Sequence, residues 1–268
     1  MVVGGWWLVV RRSSHACIGR RAGGIRMKPV IAVLYAPGIN CHEETAFAVE
    51  LAGLDAKIVN FHDVLSGDET LVKYQGVVVP GGFSWGDHLG AGRIFGVHLV
   101  ARTADQLNEL VEDGKPVLGI CNGFQVLVET GLLPDRTPGK RGAALLQNRS
   151  AVFESRWVEL AVTDTGSIWT ANLEGRILRM PVAHGEGRLY WEEGHPVRNA
   201  LAYAKDGSPT EEYPANPNGT PGGVAGICDS TGLIFGLMPH PERAVLPWHG
   251  STDGMELFKN LAGYLLKG

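Results

Sequence analysis

The sequence predicts an α/β fold: a mostly parallel open sheet with helices on both faces and an antiparallel C-terminal extension. Three observations predict it. Short apolar runs without alternation, such as VIAVLYA (30–36), read as strands buried on both faces, as in parallel sheets. They alternate with segments whose apolar residues recur at helical spacing, which makes β-α-β units. Glycine-rich turns fall where strands end, and open α/β sheets carry their sites there.

VIAVLYA stops at Pro37-Gly38. CHEETAFAVELAGL (41–54) reads as a helix with a glycine stop at Gly53, and AKIVNF (56–61) as the second strand. QGVVVPGGF (75–83) reads as a third strand ending in Pro-Gly-Gly. VHLVARTADQLNELVEDG (97–114) is a helix closed by glycine, PVLGI (116–120) a fourth strand, and 122–131 the next helix. Crossovers between such strands are right-handed. From about residue 150 the pattern changes. RWVELAV (156–162) and GRILRMPVAHG (175–185) read as strands, and GGVAGICDSTGLIFGLMPHPE (222–242) as a hairpin turning at Ser230-Thr231-Gly232. The segment 207–223 is a polar Pro/Gly/Asn loop, and GMELFKNLAGYLL (254–266) closes the chain as an amphipathic helix. No internal repeat or low-complexity linker interrupts 27–268, which reads as one domain.

The chain has 268 residues, 44% hydrophobic and 19% charged, enough to bury a core without staples. A net charge of −4 argues against a nucleic-acid or membrane surface. Four scattered cysteines, Cys17, Cys41, Cys121 and Cys228, show no paired ligand spacing, so neither a disulfide framework nor a metal site is expected. A reducing, cytoplasmic home fits this usage. Residues 1–26 stand apart, with five arginines and no acidic residue. A signal peptide would place charge before its apolar run, and here the order is reversed. A transit peptide fits the arginines but not the apolar start. The favoured expectation is an upstream extension or misassigned start, disordered or poorly packed, before a body that begins at Met27.

Chemistry concentrates at three places. In VLGICNGFQVL (117–127) a strand runs into a helix through Gly119-x-Cys121-x-Gly123. A strand-to-helix turn with glycines around its central residue is the geometry of a nucleophile elbow. The helix N-terminus behind the sulfur favours a thiolate, and the Asn122 N–H points where an oxyanion would form. Taken alone, the motif fits a buried packing cysteine equally well. LMPHPERAV (237–245) supplies a base: Pro241 keeps His240 extended, and Glu242, two residues on, projects to the same side and can orient the imidazole. VVVPGGFSWGDHLGAG (77–92) offers exposed backbone amides, of which those near Gly82 and Phe83 can complete an oxyanion hole with Asn122. A flexible loop or a phosphate cradle are the competing readings of that stretch, which carries no P-loop pattern.

Together these elements resemble the class I, triad-type glutamine amidotransferases, which have a flavodoxin-like three-layer fold. The finer resemblance runs from Met27 to the C-terminus. It rests on APGINCHEETAFA, PGGFSWGDHLGAG, GICNGFQVL, LLQNRSAVFESRWVEL, PVAHGEGRL and GLMPHPERA. It is to the branch whose members are glutaminase subunits for formylglycinamide ribonucleotide amidation in purine biosynthesis. Trp85, His88 and Gly90 depart from the SYGDYLRAG loop of that branch, and 1–26 lies outside its pattern.

The resemblance implies Cys121 as nucleophile, His240 as acid/base and Glu242 as its orienter. It implies Gly82 and Asn122 in the oxyanion hole, and Phe83, Gln125 and Arg149 against L-glutamine. Arg156, His184 and Glu186 are the expected partner or coupling contacts. It further implies a thioester intermediate and ammonia passed to a large formylglycinamide ribonucleotide synthetase subunit, with a small third subunit. No cofactor is expected in this chain; ATP and Mg2+ belong to the synthetase. A glutaminase for another synthetase, a stand-alone Cys-His hydrolase and a catalytically silent regulatory subunit remain the alternatives.

Overall fold

The computed structural model describes residues 27–194 and 196–267, and the extension expected at 1–26 lies outside the described residues. The first half lays down β1 (Val30–Tyr35), α1 (His42–Leu51), β2 (Asp55–Asn60), α2 (Phe61–Ser66), β3 (Gly76–Val79), α3 (Arg93–Glu112), β4 (Val117–Ile120) and α4 (Asn122–Thr130). The second half adds β5 (Ala143–Leu146), β6 (Glu154–Val162), β7 (Ile177–His184), β8 (Arg188–Trp191) and β9 (Arg198–Lys205). It ends with β10 (Ser208–Pro209), β11 (Val224–Cys228), β12 (Ile234–Leu237) and α5 (Met255–Lys267).

One sheet runs β2-β1-β3-β4-β12-β11-β9-β6-β7, and β10 pairs with β9. Its first five strands are parallel, and from β12 onward the pairs are antiparallel. The parallel half is therefore the expected open sheet and the rest its antiparallel extension. β3 and β4 are buried at every position, as strands covered on both faces must be. The β1–α1–β2 crossover steps one way along the sheet and β3–α3–β4 the other. Right-handed crossovers then put α1 and α3 on opposite faces. α5 packs beside α1, and α4 beside α3. The strand order reverses between β1 and β3, so the crevice at their carboxyl ends is the switch point where such sheets bind ligands. Among the described residues no helix is long and apolar enough to cross a membrane.

Several boundaries differ from the sequence reading for local reasons. Phe61 starts α2 rather than ending β2, because the Asn60 side chain caps that helix by accepting the His62 N–H at 3.0 Å. α3 begins at Arg93, after Gly92 in the left-handed region. The expected third strand ends at Val79, since Pro80 has no N–H for the ladder. β9 was not anticipated, although it lies between β11 and β6 with five of its eight residues buried. Nor was the separate two-stranded sheet of β5 and β8.

α4 sits hard against the sheet because Gly123 has no side chain. A Cβ there would lie 1.8 Å from the Val79 carbonyl oxygen of β3. Backbone cannot yield as a side-chain tip does. Gly123→Ala is therefore expected to cost about 3 kcal/mol or more, the upper range of overpacking. In α5, a Cβ on Gly263 meets nothing within 4 Å. Gly263→Ala should raise stability by about 0.5–1 kcal/mol through backbone entropy. Urea unfolding of both variants checks the contrast.

Candidate active site

The glycines flanking Cys121 have steric reasons. A Cβ on Gly119 would fall 2.6 Å from the Gly123 carbonyl oxygen, and Gly123 itself faces β3. With both side chains absent, the chain turns at once from β4 into α4, and Cys121 takes φ 49°, ψ −104°. Such a conformation is costly for a residue with a Cβ and is kept where the surroundings impose it. The Cys121 N–H donates to the Leu237 carbonyl of β12 at 2.8 Å, pinning the turn to the neighbouring strand. The sulfur is 3.5 Å from the Ala183 carbonyl oxygen, and the residue is 5% exposed.

His240 follows β12, the strand beside β4, so both side chains rise from adjacent carboxyl ends. Its N–H donates to the Pro181 carbonyl at 2.8 Å. Gly81 makes room for the ring: a Cβ there would be 2.7 Å from His240 Cε1. Nδ1 lies 2.6 Å from Glu242 Oε1, so Nδ1 carries the proton that the carboxylate accepts. His240 is extended, as the following proline predicts, but the chain does not stay extended through Glu242: Pro241–Arg243 form a one-turn 3-10 helix. Proline suits a first helical position, and that turn brings Glu242 back beneath the ring. Nε2 is buried without a hydrogen-bond partner, and the Cys121 sulfur lies near enough to the ring to act on it electrostatically. Burial pulls the imidazole pKa down, but the charges of Glu242 and Cys121 outweigh it and hold His240 well above its ordinary value.

The turn after β3 meets the turn after β1 through an antiparallel bridge between Ile39 and Gly82. Gly82 has φ 152°, and a Cβ there would strike the Gly38 carbonyl oxygen and Ile39 Cα at 2.7 Å. The Phe83 N–H donates to the Gly38 carbonyl at 2.9 Å, so it is not available to a ligand. The Gly82 and Asn122 N–H groups donate to no acceptor among the described residues. The Phe83 side chain is exposed and packs against Phe153, their ring centroids 6.2 Å apart.

The other expected residues divide. Gln125 and Glu186 are joined, the Gln125 Nε2 donating to the Glu186 carbonyl at 2.5 Å, and both line one cavity. Arg149 lines a different hollow with Arg188, Tyr190 and Trp191. Arg156 is held by the buried Glu154 and by the Tyr213 hydroxyl at 3.0 Å, its guanidinium stacked over the Tyr213 ring. His184 is 2% exposed and offers no surface to another protein. Asn148 fixes its tautomer. The Asn148 Nδ2 donates to the Val152 and His184 carbonyls, so its Oδ1 accepts from His184 Nδ1 at 3.0 Å. Burial, with the nearby His240, pushes the His184 pKa down to about 3, and the ring stays neutral.

The sequence reading missed Cys41, whose sulfur lies beside the His240 ring. Its signal was its place just after a strand-end turn at the switch point. Cys41, His240 and Glu242 have donor atoms within 4.8 Å of one another. They suit a metal poorly: Nδ1 and Oε1 already bond to each other, and Arg243 Nη2 stands 3.2 Å from the Cys41 sulfur, where a cation would be repelled. A buried sulfur, an oriented imidazole and two undonated amides make a set suited to acyl transfer through a covalent intermediate.

Residues 28–265 match the family model of the CobB/CobQ-like glutamine amidotransferase domain. The chain is 41% identical over 231 residues to phosphoribosylformylglycinamidine synthase subunit PurQ of Methanococcus maripaludis, covering 82% of this chain and 84% of that one. It is 42% identical over 236 residues to the Pyrococcus furiosus subunit of the same name, covering 87% and 97%. Among solved structures it is similar to a chain of PurLQS from Thermotoga maritima, with TM-score 0.74 and 36% identity over 89% of this chain and 100% of that one. Family model, relatives and fold agree, and the chain belongs to the glutamine amidotransferases, in the family of PurQ subunits of phosphoribosylformylglycinamidine synthase.

Proposed function

We propose that this chain hydrolyses L-glutamine at Cys121 and delivers the ammonia to a separate ATP- and Mg2+-dependent synthetase subunit. That partner amidates formylglycinamide ribonucleotide in cytoplasmic purine biosynthesis, with a small third subunit completing the complex. The observation that carries the reading is the meeting of Cys121 with the His240–Glu242 pair, bonded at 2.6 Å, at the ends of adjacent parallel strands. Family membership supports the choice of substrate and partner.

In this reading the Cys121 sulfur attacks the side-chain amide carbon, forming a C–S bond. The oxyanion lies against the Gly82 and Asn122 amides, each worth about 2.7–4 kcal/mol of barrier by analogy with other oxyanion donors. The His240 imidazolium gives its Nε2 proton to the amide nitrogen as the C–N bond breaks and ammonia leaves. The neutral imidazole then takes a proton from water, which attacks the thioester. Glutamate departs and the thiolate returns. Gln125 and Phe83 border the glutamine. Glu186, joined to Gln125, carries coupling to the synthetase, with Arg149 and Arg156 as outer contacts.

Two outcomes test this. Glutamate release should be low for the chain alone and rise sharply with the synthetase, ATP and formylglycinamide ribonucleotide. Cys121→Ala should abolish it in both settings; release unaffected by the partner or by loss of Cys121 would refute the reading. Glu242→Gln removes the charge that raises the His240 pKa. Its kcat should fall by about a hundredfold or more. The alkaline limb of the pH–rate profile should move to lower pH, because His240 then loses its proton earlier. An unmoved limb would show that Glu242 does not set the charge of His240.

A further inference from the structure

The loop 84–92 between β3 and α3 is held in an unfavourable shape. Trp85, Gly86 and Asp87 lie consecutively in the left-handed region, at φ 52°, 67° and 54°. For a residue with a Cβ that region costs about 1–2 kcal/mol. The Trp85 ring anchors one end, packed against Phe61 and Phe95 and stacked on His98. The tip, Leu89, is 68% exposed.

A closed circuit of hydrogen bonds ties this loop to the start of α4. The Ser84 N–H donates to Asn122 Oδ1 at 3.3 Å. Asn122 Nδ2 donates to Asp87 Oδ1 at 3.2 Å and to Gln125 Oε1 at 2.9 Å. Gln125 Nε2 donates to the Glu186 carbonyl, and Glu186 Oε2 accepts the Ala91 N–H at 3.1 Å, which returns the circuit to the loop. The Asn122 amide orientation is fixed, because a backbone N–H faces its oxygen. Its NH2 therefore needs acceptors on both sides, and Asp87 is one of them.

We propose that Asp87 is a positioning residue of this active site: by holding Asn122 against the left-handed 84–87 turn, its ionised carboxylate fixes the Gly82 and Asn122 amides relative to Cys121. The inference rests on the preceding reading that those amides bind the oxyanion. Ser84 follows the Gly82–Phe83 turn directly, so the Ser84–Asn122–Asp87 bonds join the two amide-bearing segments. Asp87 matters because it alone in the circuit can change charge at the Asn122 NH2.

Burial first, and then the charge of Glu186, push the Asp87 carboxyl up to about 6, against the Gly92 N–H, Asn122 and His88, which favour its charge. The titratable groups facing it are Glu186, from the turn between β7 and β8, and His88 of its own loop. α4 presents the neutral amides of Asn122 and Gln125. With a raised pKa, the carboxylate is ionised only above about pH 6. Below that, one oxygen becomes a donor among donors, and the hold on Asn122 loosens. Asparagine in its place imitates the protonated state at every pH.

The test measures glutamate release by the complex with synthetase, ATP, Mg2+ and formylglycinamide ribonucleotide, from about pH 5 to about pH 8.5. Wild type, Asp87→Asn, Asp87→Glu and Cys121→Ala are compared. Asp87→Asn should lower kcat about tenfold at neutral pH, with KM for glutamine changed by less than about threefold. It should also flatten the acid limb near pH 6. Asp87→Glu keeps a carboxylate and should keep an acid limb with part of the rate restored. A near wild-type rate or an intact acid limb in Asp87→Asn overturns the proposal. So does loss of the limb in both Asp87 variants, which would make Asp87 a residue of the fold alone. If Cys121→Ala still releases glutamate, the reading of the nucleophile fails first and takes this proposal with it.

Discussion

The site depends on how closely α4 approaches β3. At Gly123 the helix backbone touches the Val79 carbonyl, with no room for one added carbon. That contact sets the entry angle of the helix, and the entry angle forces Cys121 into its left-handed turn. The turn lifts the sulfur clear of the sheet edge and puts the first N–H groups of α4 behind it. Gly119 and Gly81 serve the same constraint, one under the turn and the other against the His240 ring. The glycines around the cysteine are thus required by packing before they are required by chemistry.

The second dependence is electrostatic. His240 is buried, and burial alone would discharge it. The carboxylate at 2.6 Å and the nearby Cys121 sulfur reverse that preference. An imidazolium in a water-poor site can protonate a leaving amine and, once neutral, take a proton from water. Glu242 must be close and nearly dehydrated to act so strongly, and the tight Pro241–Arg243 turn achieves both. His184, a second buried histidine nearby, shows the contrast. Its partner is a neutral amide, and burial leaves it uncharged.

The parallel half of the fold was legible in the sequence because β1, β3, β4 and β12 are short apolar runs, each with a glycine or proline within three residues of its end. The thiol, the histidine and the glutamate were legible because each sits in a short local pattern at a strand end. β9 was not, since RNALAYAK is bounded by charged residues and its burial comes from strands distant in the chain. His240 is extended as expected, but the extended stretch does not reach Glu242, because proline is as well suited to opening a 3-10 turn as to extending a chain. Phe83 looked like an amide donor until the Gly38 carbonyl claimed it. Cys41 had only its place after a strand-end turn to mark it, and Asp87 had no mark of its own: the surroundings of both depend on the meeting of loops after β1, β3 and β4, and no spacing within one segment encodes that meeting. The resemblance supplied the expected substrate and partner, which residue patterns alone did not.

Two thiols, Cys121 and Cys41, lie near His240, and only one can be the nucleophile. The most direct measurement is to treat the assembled complex with a glutamine affinity label and locate the adduct by peptide mass spectrometry. A Cys121 nucleophile gives a stoichiometric adduct on Cys121, none on Cys41 or Cys228, and loss of glutamate release in proportion to labelling. An adduct on Cys41, or complete labelling of Cys121 with glutamate release intact, would contradict it.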